Sequence, residues 1–476
     1  MSDLRGLARP RETRPTAAST DTTPGWGPLA VVLTGTFVTF LDFFIVNVAL
    51  PDISSDLTAA PSTLSLVVAG YGLTFAAGLI TGGRLGDLYG RRRLFTIGLA
   101  LFTVASAICG LAPSAGVLVV ARVGQGAAAS LLTPQVLAIL GTVYDGERRG
   151  KAFAAYGLAM GIAGVLGQLL GGVLITADVA DLGWRSIFLI NLPVGAVALT
   201  LVGRVVPESR GPRAQLDLMG TVLGTVTVAA LVLPLVEGRE HDWPWWTWAS
   251  LAAAPVSLAG FVAAQRRRHA LGRAPLVDLD LFRARTFAIG SLAALAYALV
   301  PPSFFFVLAL YLQQGRGYSA LFSGVVFVAV GLGYFAAMMT APRLAMRLGH
   351  GVLMLGAAVS AGGCLLLAAT GRAGSSLDLT PGLALVGLGI GLVLVPLAST
   401  VLAGVDPRHA GAAAGVLSTA QQVGGAVGVA LAGIVYFGEP SAVRAFVVSV
   451  LLIGGFALLA CVLVAMLRPR SRAASH

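Results

Sequence analysis

Long apolar runs, broken by short polar or cationic stretches, set the pattern of this chain from about residue 28 onward. Runs such as Leu94 to Ala112, Ile187 to Gly203, Leu218 to Val236 and Ala445 to Met466 hold almost no charge. At 1.5 Å per residue each is long enough to cross most or all of a bilayer core of about 30 Å as a helix. The short alternating segments of a membrane β-barrel are absent. The pattern predicts fourteen spans, at 28–50, 63–83, 94–112, 114–141, 152–176, 187–203, 217–236, 246–265, 287–312, 319–341, 351–371, 379–403, 410–437 and 445–467. The chain is read as an all-α polytopic membrane protein.

Composition agrees, with 57% hydrophobic and 11% charged residues and a mean hydropathy of +0.86. A net charge of +11 suggests nucleic acid until its location is considered. If the N-terminus is cytoplasmic, only Arg185, Arg239, Arg316, Arg372 and Arg444 fall on outer segments, and Arg122 falls inside a span. The other cations all lie on inner segments, so the basicity expresses topology, with both termini cytoplasmic, and calls for no nucleic-acid partner. Trp26, Trp184, Trp243, Trp245, Trp246 and Trp248 lie at predicted membrane edges, where the amphipathic indole prefers to sit. Cys109, Cys364 and Cys461 fall within spans without metal or redox spacing and read as packing residues.

Of the 21 acidic residues, only Asp42 lies well inside a span. A charge at the bilayer centre costs at least ~2.5 to 3.5 kcal/mol, so it needs a partner or a function. Arg122 stands nine residues beyond Pro113, and Asp42 nine before Pro51, which sets both at one depth. The two are expected to pair, directly or through water; snorkelling of the arginine is the plainer alternative. A carboxylate held between burial and a neighbouring cation can exchange protons near neutral pH.

Other motifs surround this pair. Gly83-Arg84-Leu85-Gly86-Asp87-Leu88-Tyr89-Gly90-Arg91-Arg92-Arg93 reads as a tight basic loop in which Asp87 can cap a helix start and pair with arginines. A fainter copy at Arg343 to Gly349, with Met346 in place of the acid, implies an internal repeat. The fifth span puts Gly157, Gly161, Gly164, Gly167, Gly171 and Gly172 on one broad face, with Gln168 beside them, and Ala420-Gln421-Gln422-Val423-Gly424-Gly425 echoes it. The stretch Trp184-Arg185-Ser186-Ile187-Phe188-Leu189-Ile190-Asn191-Leu192-Pro193 opens the sixth span. Asp217, at an inner edge, reads as a solvated or capping residue. Pro301 and Pro302 are expected to kink the ninth span beside Phe304, Phe305, Phe306 and Tyr311, aromatics that fit a core, a lipid face or a cavity lining.

Leu41-Asp42-Phe43-Phe44-Ile45-Val46-Asn47-Val48-Ala49-Leu50-Pro51, the Gly83 to Arg93 segment, Arg122-x-x-Gln125-Gly126 and the glycine-rich fifth span together resemble the fourteen-helix drug:proton antiporter family of the major facilitator superfamily. The resemblance, over residues 28–467, implies the major facilitator fold: two six-helix bundles, 28–206 and 287–467, joined by 207–265 carrying two extra central helices. A cytosolic, Arg-rich connector at 266–286, lying along the membrane surface, and cytosolic tails at 1–27 and 468–476 complete the expected organisation. It further implies that Asp42 couples to protons with Arg122 as its partner, and that Gly83, Asp87, Gly90, Arg91 and Arg92 form a latch for the outward-open state. The glycines at 157, 161, 164, 167, 171 and 172 correspond to the family's antiporter motif. Thr39, Gln125, Gln168, Phe305, Tyr311 and Gln421 are the expected cavity residues. In this sequence Gln168 stands where the family usually has proline, and no further intramembrane acid occurs in the second half.

The expectation is a monomeric exporter of drugs, antibiotics or other lipophilic or aromatic molecules across the bacterial inner membrane, driven by the proton motive force, without cofactor or metal and in contact with membrane lipids. Uptake by symport, or export of one endogenous metabolite, is the alternative. No nucleophile or metal cluster in the spans suggests an enzyme: His241, His269, His350, His409 and His476 are scattered.

Overall fold

The computed structural model describes residues 25–211, 217–238, 241–273, 275–372, 375–402, 405 and 410–467. The expected tails, apart from residues 25–27, and the cations Arg213, Arg239 and Arg408 lie outside the described residues.

Among the described residues sixteen α-helices follow one another: α1 Gly27–Asp56, α2 Pro61–Tyr89, α3 Arg91–Gly110, α4 Ala115–Val143, α5 Gly146–Ala177, α6 Ser186–Leu189, α7 Asn191–Val205, α8 Leu218–Glu237, α9 Trp245–Ala270, α10 Arg285–Ala298, α11 Val300–Leu310, α12 Ala320–Leu348, α13 Gly351–Thr370, α14 Thr380–Leu402, α15 Ala410–Tyr436 and α16 Ala442–Ala465. With α6 and α7 joined, and α10 and α11 joined, fourteen of the resulting segments are long and apolar enough to cross a membrane. The fourteen expected spans are all present. Helices satisfy their own backbone groups, which hydrocarbon cannot do.

Two spans are interrupted. The ninth breaks at Leu299, just before Val300, because Pro301 and Pro302 bring no N–H to the preceding turn. Ser303 Oγ donates to the Leu299 carbonyl at 2.6 Å, and a π-helical turn, Tyr311–Gly315, closes the span. The sixth breaks at Ile190, directly before Asn191.

Several sequence expectations change here. Residues 83–89 are the last turns of α2 rather than a loop, and the α2–α3 link is Gly90 alone, at φ +108°. Asp87 therefore caps no helix start. Asp217 does cap α8, accepting from the Gly220 N–H at 2.9 Å, but it is buried rather than solvated, because Gln265 Nε2 and the Leu276 N–H also bond to it. These bonds fold part of the connector back onto α8. Arg266 to Arg268 lie in the last turns of α9, and among the described residues only the short 3₁₀ turn Leu279–Arg283 follows before α10. Trp184 is buried, its Nε1 donating to Asp56, the last residue of α1, at 3.0 Å.

Helix pairings recur eight spans apart. α2 packs on α4 and α12 on α14; α3 on α4 and α13 on α14; α1 on α5 and α10 on α15. The two sets meet along three seams, α5 on α12, α2 on α15 and α1 on α11. The extra pair, α8 with α9, lies against α2 and α15 through α8. In the repeat of the basic turn, Gly349 keeps a positive φ of +56°, while Met346 is exposed.

The seams close toward the end of the molecule that carries the Leu57–Ala60 link. There a Cβ on Gly172 would come within 2.5 Å of the Ala320 carbonyl, and one on Gly324 within 2.8 Å of the Gln168 carbonyl. Gln313 Nε2 also donates to the Val48 carbonyl at 2.8 Å. Nearer the opposite end, Gly157 of α5 has nothing within 4 Å of such a Cβ.

Candidate functional site

Asp42 sits midway along α1 and Arg122 in the second turn of α4. Both side chains have no exposed surface, and Arg122 Nη1 donates directly to Asp42 Oδ2. Equal depth thus brought them together. At the other oxygen, Oδ1, Gln125 Nε2 arrives at 2.8 Å and Asn191 Nδ2 at 2.9 Å. Ser106 Oγ of α3 accepts from the same two amides, at 2.8 and 3.3 Å. Arg122 Nη1 also donates to Gln125 Oε1 at 2.7 Å, and Nε to the Val67 carbonyl at 3.0 Å. Its guanidinium lies 4.4 Å from the Tyr71 ring centre and 5.7 Å from that of Phe188. Tyr71 in turn donates its hydroxyl to the Thr39 carbonyl at 3.1 Å.

Donors from α4 and α7 thus converge on one carboxylate of α1, and charge-assisted bonds of this kind are what make a buried ion pair tolerable. Nη2 of Arg122 remains without a hydrogen-bond partner.

The site differs from the expected one in where it faces. Asp42 points into the first set of helices, not toward a cavity between the two sets. Thr39 is buried and bonds to the Gly35 and Thr36 carbonyls, while Gly35 lies against Phe95 and Leu132. Gln125 belongs to the ion-pair network rather than to a cavity wall. The face of α1 that meets the second set carries Phe44 and the Val48 carbonyl.

On that face Phe44 packs on Phe305 at 4.9 Å, and Phe305 stacks on Phe327 at 5.5 Å. Phe305 is therefore at the seam between the sets, though enclosed. Gln168, also buried, donates Nε2 to the Phe44 carbonyl at 2.9 Å and lines no cavity either. Tyr311 is fully buried against Phe446, its hydroxyl donating to the Gly371 carbonyl at 2.5 Å, because the π-helical turn swings it into the second set's core. Gln421 is half-buried on α15.

The fifth-span glycines divide between two neighbours. Gly164, Gly167 and Gly171 face α1 at Phe44, Leu41 and Ile45, whereas Gly161 and Gly172 face α12 at Tyr334 and Ala320. Gln168 falls between these stripes, and Gly157 belongs to neither.

At the basic turn, Asp87 Oδ1 accepts from Arg91 Nη2 at 2.9 Å and Nε at 3.2 Å. Gly83 packs on Pro134. The segment leaving α7 clasps the same turn: Gly211 N–H bonds to the Asp87 carbonyl, Arg92 Nη1 to Val206, and Glu208 accepts from the N–H groups of Arg92 and Arg93 at 3.0 and 3.2 Å. The turn is thus tied within the first half and its outgoing linker.

Sequence reasoning missed Asn191, Ser106, Tyr71 and Glu208. One signal for Asn191 was available: the chain has only two asparagines, Asn47 and Asn191, and both lie in apolar spans.

Fourteen spans, in two sets of matching pairings plus an extra pair, with a sealed ion pair inside one set, define a membrane transporter. The chain belongs to the Major Facilitator Superfamily, whose family model matches residues 32–429. It is 38% identical to the probable actinorhodin transporter of Streptomyces coelicolor, over 87% of this chain and 72% of that one. It is 36% identical to the cephamycin export protein CmcT of Amycolatopsis lactamdurans, over 90% and 88%. The human organic anion transporter MFSD10 (TETRAN) shares the fold, with a TM-score of 0.64 at 18% identity over 92% of this chain and 99% of that one. As a member of this family the chain carries small-molecule substrates across a membrane.

Proposed function

We propose that this transporter exports antibiotic-like, lipophilic small molecules from the bacterial cytoplasm in exchange for protons taken up at Asp42. Export is suggested by the relatives, which are named for actinorhodin and cephamycin. Proton coupling rests on one observation, the Asp42–Arg122 pair sealed from solvent on both sides. Removing either charge strands the other in low dielectric, so a proton on Asp42 forces Arg122 to change partners. The guanidinium already touches α2 through Val67 and Tyr71, and α2 forms the seam with α15. Protonation thus shifts the grip of Arg122 from α1 to α2, and the seam follows by rocking of the two sets. Each proton supplies about 2.3 kcal/mol per 100 mV of membrane potential.

In this reading the termini and the basic Gly90 turn are cytoplasmic, and the seams are closed on the outer side of the inner membrane. The transporter works as a monomer with no cofactor. Proteoliposomes under an imposed pH gradient, with actinorhodin, a cephamycin and ethidium as probes, test it. Gradient-driven extrusion that Asp42→Asn abolishes supports the reading; uptake in the direction of proton flow, or transport indifferent to Asp42→Asn, overturns it.

A further inference from the structure

The two oxygens of Asp42 are held unequally. Oδ1 takes two amide N–H donors, from Gln125 and Asn191, and Oδ2 takes Arg122 alone. An amide NH₂ donates and never accepts, so with both lone pairs of Oδ1 occupied, a proton there must expel one of the amides. At Oδ2 a lone pair is open, and the only bond at risk is the one to Arg122. Asn191 is 2% exposed and is placed by the break between α6 and α7, which turns the first residue of α7 toward α1.

We propose that Asn191 is a positioning residue for proton exchange: with Gln125 it fixes Oδ1, and so makes Oδ2 the oxygen that trades Arg122 for a proton. The step balances simply. When rocking opens the site to the medium, a hydronium gives its proton to the open lone pair of Oδ2, an O–H bond forms and water leaves; the new hydroxyl oxygen accepts far more weakly than a carboxylate, so Arg122, keeping all its protons, releases it. The Oδ1 side becomes the carbonyl of the acid with its two donors undisturbed. The carboxyl group therefore does not rotate during exchange, and Arg122 always returns to the same atom.

Other ionisable groups facing the carboxylate leave this assignment intact. Tyr71 from α2 spends its hydroxyl proton on Thr39, and the Cys109 thiol from α3 lies 3.6 Å from Gln125 Oε1. Asn191, Gln125 and Ser106 are neutral, and Asp52 and Asp56 lie more than two turns further along α1.

The proposal rests on Asp42 being the coupling site, and the test separates the two. The carboxyl band of Asp42 is titrated by infrared difference spectroscopy on the full chain in nanodiscs, with Asp42→Asn to assign it; proton flux driven by an ethidium gradient is recorded in parallel. N–H donors favour the carboxylate, so Asn191→Ala moves the midpoint to higher pH by about one unit, and Asn191→Gln restores most of it. In the unaltered protein the protonated carbonyl band lies at the low-frequency, doubly hydrogen-bonded end of its range, a result that needs no folded variant. An unmoved midpoint in Asn191→Ala, or a free-acid band in the unaltered protein, overturns the positioning role. Ethidium-driven proton flux that survives Asp42→Asn overturns the coupling reading instead.

Discussion

Gln168 of α5 donates its side-chain amide to the backbone carbonyl of Phe44 on α1, 2.9 Å away, in a seam where Gly164, Gly167 and Gly171 let the two helices touch. Gln168, at the position where the resemblance implies a proline, makes a cross-helix bond instead. Asn47 Nδ2 reaches the same carbonyl at 3.0 Å, and the Gln168 Oε1 is left without a partner. Replacing both polar atoms at once is therefore cheap, and replacing only the donor is not. Gln168→Leu is expected to cost about 1 kcal/mol, while Gln168→Glu, which sets a second acceptor against the Phe44 carbonyl, costs on the order of 3 kcal/mol or more. Thermal unfolding in detergent ranks the two, and a leucine variant less stable than the glutamate variant contradicts the assignment.

The same asymmetry governs Asp42 and Arg122. Breaking a buried pair from one side costs about 3–5 kcal/mol, because the surviving charge stays buried, whereas neutral residues on both sides remove the problem. Asp42→Asn and Arg122→Gln are each expected to lower the unfolding midpoint, and the double variant to be more stable than Arg122→Gln or Asp42→Asn alone. All three lose coupled transport. The double-mutant cycle reads the interaction directly. Additive losses would mean that the two side chains are independent.

Much of this architecture was legible in the chain itself, because spans follow from apolar runs and depth follows from residue counts. Asp42 and Arg122 could be matched that way, each lying nine residues from a proline at the same membrane edge. Orientation about the helix axis was harder. Depth alone did not say that Asp42 turns inward toward α3, α4 and α7, and Gln125 and Thr39 were assigned to a cavity wall on the same uncertainty. Tyr311 was misplaced because a π-helical turn alters the angular spacing of side chains, and nothing local in Tyr311–Gly315 announces it. Asn191 depended on a helix break one residue earlier and on a contact 149 residues away in sequence.

Glu208 shows a long-range cap of the same kind. Gly90 offers α3 no side chain to cap it, and the carboxylate of Glu208 fills that place by accepting from the N–H groups of Arg92 and Arg93. An anion at a helix N-terminus satisfies orphan donors and the local dipole together. Glu208→Ala is expected to cost about 1 kcal/mol and, more tellingly, to speed hydrogen exchange at residues 92–94 by roughly fivefold or more. Unchanged protection there would assign the stability of the turn to its other bonds, from Asp87, Arg91, Val206 and Gly211.

The split of the α5 glycines gives a contrast within one helix. A methyl group on Gly157 meets open space, so Gly157→Ala is expected to leave folding and transport within experimental error, with a slight gain from helix propensity of up to about 1 kcal/mol. On Gly172 the same methyl group comes within 2.5–2.9 Å of Ala320 and Leu321 backbone atoms, which cannot yield as a flexible side chain would. The α5–α12 seam must then part at the Leu57–Ala60 end, while each set of helices keeps its own packing. Gly172→Ala is thus expected to fold yet favour the arrangement open at that end. Spin labels at the exposed positions Val179 and Gln314 measure the gap. The Gly172 variant should populate longer distances and transport several-fold more slowly, and the Gly157 variant should match the parent. Equal distance distributions in both variants would show that closure of this end does not depend on the α5–α12 contact.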